Sequence, residues 1–252
     1  MKNEVKVHEV NPASLRGRRE FLKISGLTLA GTGLIFAGCS SDDDDPITPP
    51  PNTNTFPGVR DGIFDLGGGD FGVLTYAYAL EQLEADFYTK VVNATGFTST
   101  FAPIEQQIMV DLFNHEVIHR EFFKTALMGA LPDPDTQLLP SLAFNYGNLN
   151  FSNRDQVLAT SKALEDTGVA AYNGAGKLLT NPTYLLLAGK IVSIEARHAA
   201  AIRSLINPDS PDFAGDDIVD PATGLDTVKT PSMILPIAGG FITTEFTAQF
   251  LP

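Results

Sequence analysis

The chain has 252 residues, is 43% hydrophobic and 19% charged, and sets 17 Lys+Arg against 30 Asp+Glu, a formal net charge of −13. That acid excess argues against binding nucleic acid by phosphate neutralisation, and a single Cys excludes an intrachain disulfide, a Cys-rich zinc module or a protein-held Fe–S cluster. The apolar fraction is too high for a disordered chain, and the length is ample for a core.

Residues 16–23 read Arg-Gly-Arg-Arg-Glu-Phe-Leu-Lys, and an apolar stretch from Ile24 to Ala37 follows. It is too short to span a bilayer as a helix, and a basic segment before it makes residues 1–38 read as a signal peptide. Arg18-Arg19-Glu20-Phe21-Leu22-Lys23 resembles the twin-arginine export signal, with Gly17 where that signal has a small hydroxyl residue. An ordinary secretory signal with adjacent arginines is the alternative. Phe36-Ala37-Gly38-Cys39 resembles the lipobox of bacterial lipoproteins. That resemblance implies cleavage before Cys39 and lipid on its sulfur and new N-terminus, a firm membrane anchor. Residues 39–64 hold four adjacent aspartates, Asp42 to Asp45, and then a Pro-rich run. Charge repulsion and proline stiffness suit a solvated tether. An acidic run directly after the Cys resembles surface-export signals of some Gram-negative lipoproteins. The expected location is the outer membrane or cell surface, otherwise the periplasm-facing membrane.

Residues 65–206 read as all-α. After Gly67-Gly68-Gly69, apolar residues from Phe71 to Val92 recur with helical period, with Asp70 suited to the N-cap. Asn93 to Ala102 reads as a loop. Pro103 suits the first turn of a second helix running to about Met128, with Ile104, Ile108, Leu112, His119, Phe123 and Leu127 in register, ended by Gly129 and Pro132. Residues 130–151 show no clear period, and a loop of that length asks for a reason. A third helix starts near Ser152, with Asp155 three residues on as in a capping box, and runs to about Leu179. Asn181-Pro182 opens a fourth, which stops at Asn207-Pro208. Two short links make antiparallel pairs, and the long link lets the second and third helices run parallel, giving a four-helix bundle with one crossover. Residues 207–252 form an irregular C-terminal extension, Asp- and Pro-rich and then apolar, expected to pack on the bundle or on a partner.

The inner stripes are not purely apolar. The first helix carries Glu81 and, seven residues on, Tyr88; the third carries Glu165 and, seven on, Tyr172. The second carries Glu116-Val117-Ile118-His119 and the fourth Glu195-Ala196-Arg197-His198. Glu and His three apart share a helix face. Each helix pair thus supplies one Glu, one Tyr and one Glu-x-x-His. Glu195 lies among Leu185, Leu186, Leu187, Ile191 and Ile194, where an unpaired carboxylate is costly. Buried charges are paired or bind metals.

Leu80-Glu81-Gln82-Leu83-Glu84-Ala85-Asp86-Phe87-Tyr88, His115-Glu116-Val117-Ile118-His119 and Leu164-Glu165-Asp166-Thr167-Gly168-Val169-Ala170-Ala171-Tyr172 resemble the ferritin-like superfamily of di-iron or di-manganese carboxylate proteins. The nearer likeness is to its bacterial group related to plant desiccation-related proteins, over residues 65–206. The resemblance implies Glu81 and His119 as terminal ligands of one metal, Glu165 and His198 of the other, and Glu116 and Glu195 as bridges. Tyr88 and Tyr172 match near-site tyrosines that hydrogen-bond ligands or are oxidisable. Glu84 matches an extra ligand or a second-shell acid. Its counterpart in the third helix is Gly168, so the site is not symmetric. Such a ligand set fits two Fe or Mn ions, with O₂ or peroxide binding between them. The resemblance leaves open whether the centre is a di-metal oxidoreductase, of ferroxidase, peroxidase or catalase-like type. It also leaves open the oligomeric state.

Other readings compete. His115-Glu116-Val117-Ile118-His119 is a literal H-E-x-x-H, the zinc-protease helix, with His115 and His119 as ligands and Glu116 as base. It lacks the H-x-x-G-x-x-H extension, since Phe122 stands where Gly belongs, and it leaves Glu195 and His198 unexplained. In the di-metal reading His115 is a second-shell or surface neighbour. A non-catalytic stress or desiccation-protection module with a structural metal site is a further alternative. An iron-storage cage is hard to reconcile with a lipid tether.

Overall fold

The computed structural model describes residues 55–252; Arg18, Arg19, Cys39 and residues 39–54 of the expected tether lie outside the described residues. Four long helices dominate. Helix α1 is Gly69–Val92, α3 is Pro103–Ala130, α5 is Arg154–Gly176 and α6 is Pro182–Ile206. Between them lie two single turns, α2 (Phe97–Thr100) in the expected first loop and α4 (Pro134–Gln137) in the crossover. Helix α1 packs chiefly on α3 and α5 chiefly on α6, so the fold is two helix hairpins joined by the crossover. No described helix is long and apolar enough to cross a membrane.

Local chemistry sets most of the helix ends. Pro103 and Pro182 occupy first turns, where no N–H is needed. The Asn181 side chain accepts the Thr183 N–H and caps α6. Two expected caps differ. The residue before α1 is Gly68, and Asp70 lies inside the first turn. Its carboxylate instead accepts the backbone N–H groups of Thr180 (2.7 Å) and Asn181 (3.0 Å), fastening the start of α1 to the α5–α6 turn. Helix α5 begins at Arg154, capped by Asn153, whose side chain accepts the Gln156 N–H. Ser152, the expected start, turns its hydroxyl to the Thr95 carbonyl, and Asp155 sits in the first turn. Gly129 lies within the last turn of α3, one residue short of its end, and α5 stops at Gly176, short of Leu179.

Seventeen of the 24 residues of α1 are buried, which makes it the central helix, apolar nearly all round. On α6, by contrast, only six residues are buried, among them Glu195 and His198. The crossover helps to cover α1. The Gln82 amide accepts the Leu142 N–H (2.9 Å) and donates to the Pro140 carbonyl (3.3 Å), while Leu139 and Leu142 are buried. The long link is therefore a strap fixed along the bundle, which supplies the reason its length asks for.

The termini of the described region meet. Strands β1 (Gly58–Arg60) and β2 (Ile63–Asp65) form an antiparallel hairpin, and β3 (Phe246–Thr247) adds to β2 in parallel. All of this hairpin except its last residue, Asp65, lies within the stretch that the sequence assigns to the tether. Its signal is weak because each strand has only three residues, and one inward side chain is charged. That residue, Asp65, is fully buried and satisfied. It accepts from Gly67 N (2.8 Å), Thr247 Oγ1 (2.7 Å) and Gln249 N (2.9 Å), and pairs with Arg60 (3.2 Å). The extension packs on the bundle. Helix α7 (Pro231–Ala238) buries Ile234 and Ala238 against α1 and α5. Just before it, Lys229 N donates to the Ala170 carbonyl, and its own carbonyl lies directly over Gly174.

A Cβ at position 174 would stand 1.7 Å from the Lys229 oxygen, so no other residue fits without moving backbone. Gly174→Ala is expected to destabilise the protein by about 1–3 kcal/mol, as overpacking does. Chemical denaturation checks this; an unchanged midpoint would mean that the extension is not held on α5 as described.

Candidate metal centre

Helical spacing delivers six side chains to one level of the bundle. Glu81 comes from α1, Glu165 from α5, Glu116 and His119 from α3, and Glu195 and His198 from α6. All six are buried, and the four glutamates have no exposed surface. Their ligand-type atoms form two groups. One holds Glu81, Glu116, His119 and Glu195; the other holds Glu116, Glu165, Glu195 and His198; within each, the atoms lie within 4.8 Å of one another. Glu116 and Glu195 belong to both. His119 Nδ1 is 3.0 Å from Glu195 and 3.5 Å from both Glu81 and Glu116. His198 Nδ1 is 2.8 Å from Glu116, 3.4 Å from Glu165 and 3.7 Å from Glu195.

The oxygens divide in a telling way. Each tyrosine crosses to the other hairpin: Tyr88 of α1 donates to Glu165 Oε1, and Tyr172 of α5 donates to Glu81 Oε1. The remaining oxygen of each of these glutamates has no partner. Neither oxygen of Glu116 or Glu195 has one, nor does Nδ1 of His119 or His198. Eight buried polar atoms thus converge with no hydrogen bond among the described residues. Buried polar groups are normally satisfied, so such a concentration calls for an ion. Two imidazole nitrogens and six carboxylate oxygens make a donor set that could hold metal ions.

The electrostatics agree. Burial, and then the nearby Glu195 charge, push the Glu116 carboxyl well above its usual range, and burial raises Glu165 to about 7. Burial alone would lower His119, but the facing carboxylates of Glu116, Glu195 and Glu81 outweigh it and raise the imidazole to about 12. Burial works the same way against His198, and Glu165 and Glu116 raise it strongly. For Glu195, burial is outweighed by the two imidazoles, which hold it down to about 2. Without metal, the surroundings thus favour protonated imidazoles and a neutral Glu116 beside an ionised Glu195.

Glu84 lies beside this set and in neither group. It is 3% exposed, and one of its oxygens is unpartnered. Burial, then the Glu195, Glu116, Glu165 and Glu81 charges, raise it well above the usual carboxylate range. Gly168, its counterpart on α5, makes the room. A Cβ there would lie 3.0 Å from Glu84 Oε1 and 3.6 Å from Glu195 Oε2. A cavity of about 30 Å³, walled by Leu80, Leu83, Leu164, Ile237, Ala238 and Phe241, ends on Glu84. That asymmetry shows in the sequence; the reason for it does not.

His115 belongs to neither group either. Its ring lies edge to edge with that of His198 and nearly coplanar with it, with Nδ1 2.9 Å from His198 Nε2. In a zinc-protease helix His115 and His119 would aim at one point. Here His119 faces the carboxylates and His115 meets the outer edge of another imidazole.

The fold and site define a ferritin-type bundle whose buried Glu/His cluster is compatible with a di-metal centre. A family model described as a ferritin-like domain matches residues 69–208, and the chain belongs to this family. A comparison with curated proteins finds no match.

Metal binding must displace the protons now held by the site, because only neutral imidazole and carboxylate bind cations. The sign follows: affinity for Mn²⁺ or Fe²⁺ falls as pH falls, about tenfold per pH unit for each proton displaced. Metal addition to weakly buffered metal-free protein near pH 7 is expected to acidify the solution. Binding without proton release would contradict the arrangement.

Proposed function

We propose that this domain holds a di-iron or di-manganese centre. Glu81 and His119 would bind one ion, Glu165 and His198 the other, and Glu116 and Glu195 would bridge them. The division of the oxygens carries this reading. The glutamates assigned a single metal each spend one oxygen on a tyrosine, whereas those assigned two metals keep both free. Two divalent ions would also balance the four carboxylates. When bound, such a pair can take up O₂ or peroxide and exchange electrons with it. Around it, Tyr88 and Tyr172 fix the terminal carboxylates. Burial excludes bulk water, and Glu84 offers an acid not needed for holding metal. That surplus acid, at the end of a cavity, favours oxidoreductase chemistry over a purely structural, desiccation-protective metal site.

We further infer that the protein works outside the cytoplasm. Arg18 and Arg19 would direct twin-arginine export, a route that carries folded proteins, so metal could be loaded beforehand. Cys39 would then carry the lipid, and the acidic tether would hold the domain off the outer membrane or cell surface.

Metal analysis of the purified protein, with an O₂ or peroxide consumption assay, tests the centre. Glu116→Ala and Glu195→Ala are each expected to lose both metals, and Glu81→Ala one. Unchanged metal content in the two bridging variants would overturn the assignment. Loss on Glu195→Ala also separates this centre from a zinc-protease site, in which Glu195 has no part. For export, replacing Arg18 and Arg19 by Lys is expected to trap the precursor inside the cell; normal export would defeat that reading.

A further inference from the structure

His198 is gripped on both edges. Its inner nitrogen, Nδ1, faces Glu116, Glu165 and Glu195, and its outer nitrogen, Nε2, meets His115 Nδ1 at 2.9 Å. The two rings lie 5.1 Å apart and within 13° of parallel. A ring held this way cannot swing out of the site. If Nε2 carries the proton and donates it to His115, Nδ1 is left with a bare lone pair aimed inward. Partners of this kind fix both the tautomer and the direction of a metal-binding imidazole.

The other half of the bundle has no such device. Position 115 precedes Glu116 as position 194 precedes Glu195, and residue 194 is Ile. Among the described residues no hydrogen bond reaches the outer nitrogen of His119, whose side chain is also the more exposed of the two, 11% against 4%.

We propose that His115 is a positioning residue for His198, and that it makes the two metal positions unequal, the one served by His198 binding more tightly. The proposal rests on the di-metal reading above and adds an order of filling to it. It also accounts for the literal H-E-x-x-H: its first histidine serves the opposite helix, not the ion bound by the second.

The test is stepwise Mn²⁺ titration of the full mature protein, followed by electron paramagnetic resonance, in wild type, His115→Ala and His115→Asn. Position 115 is solvent-exposed, so neither change disturbs the core. The Asn side-chain oxygen can accept where Nδ1 does. Wild type is expected to show a tight and a weaker step. His115→Ala should weaken the tight step about 10–100-fold and leave the other, and His115→Asn should restore it. A second reading needs no metal. In ¹⁵N spectra of the metal-free protein, a slowly exchanging His198 Nε2 proton should be present in wild type and His115→Asn and absent in His115→Ala. Two equal steps in wild type, unchanged steps in His115→Ala, or an Asn variant that behaves like Ala would overturn the proposal. If wild type binds neither Mn²⁺ nor, under anaerobic conditions, Fe²⁺, the di-metal reading fails. The slowly exchanging proton then still decides whether His115 holds the ring.

Discussion

Four glutamates with no access to water, facing one another across a few ångströms, set the terms for this fold. Like charges about 4 Å apart repel by about 4 kcal/mol even at an effective dielectric of about 20. Such a cluster persists only if cations or protons neutralise it. In the metal-free protein the protons are shared out unevenly. Both imidazoles are driven toward the charged form, Glu195 stays ionised between them, and Glu116 and Glu84 are driven toward the neutral acid. A cluster loaded with protons in this way is what an exchange for divalent ions would require. It explains why eight partnerless atoms can sit in the interior without being an error of folding.

The requirement reaches outward into the packing. A dry site needs complete cover, and α1 is covered on every side: by α3 and α5, by the crossover strap bonded to Gln82, and by α7 of the C-terminal extension. The strap and the extension are long because each must run over the bundle. The extension is tied down midway and near its C-terminus. Lys229 is seated on Gly174, and strand β3 is locked to Asp65. At the far end, Arg154 binds Glu105 of α3 and the Leu205 carbonyl of α6, joining three helices at one guanidinium. Arg203, 3% exposed, holds Asp166 of α5 and Asp217 beyond α6 in the same manner.

Much of this could be read from the residues. Four helices, one crossover and the six convergent side chains follow from spacing, because a helix converts sequence intervals directly into faces. What spacing does not encode is which partner wins a given group. Asp70 looks like a cap, yet the α5–α6 turn, more than a hundred residues away, takes its oxygens. Asn153 displaces Ser152 for the same kind of reason. Apolar character also misleads at some positions. Leu185, Leu186 and Ile104 lie in helical apolar runs but are 48%, 61% and 68% exposed, so only some of the apolar residues near Glu195 in sequence, Ile191 among them, help to keep it dry. The crossing of Tyr88 to Glu165 and Tyr172 to Glu81 depends on how the two hairpins face each other, which no local interval records.

The near-symmetry of the two hairpins makes the departures from it informative. Glu, Tyr and Glu-x-x-His occur once in each half, and a strictly symmetric bundle would hold two identical metal positions. Two substitutions break that identity. Gly168 opposite Glu84 gives one side a free acid and the cavity that ends on it. Ile194 opposite His115 leaves only His198 with a supported outer edge. Neither change is needed to fold a bundle. If two ions bind as proposed, these departures would leave the two positions unequal in the support of their imidazoles and in the acid at hand.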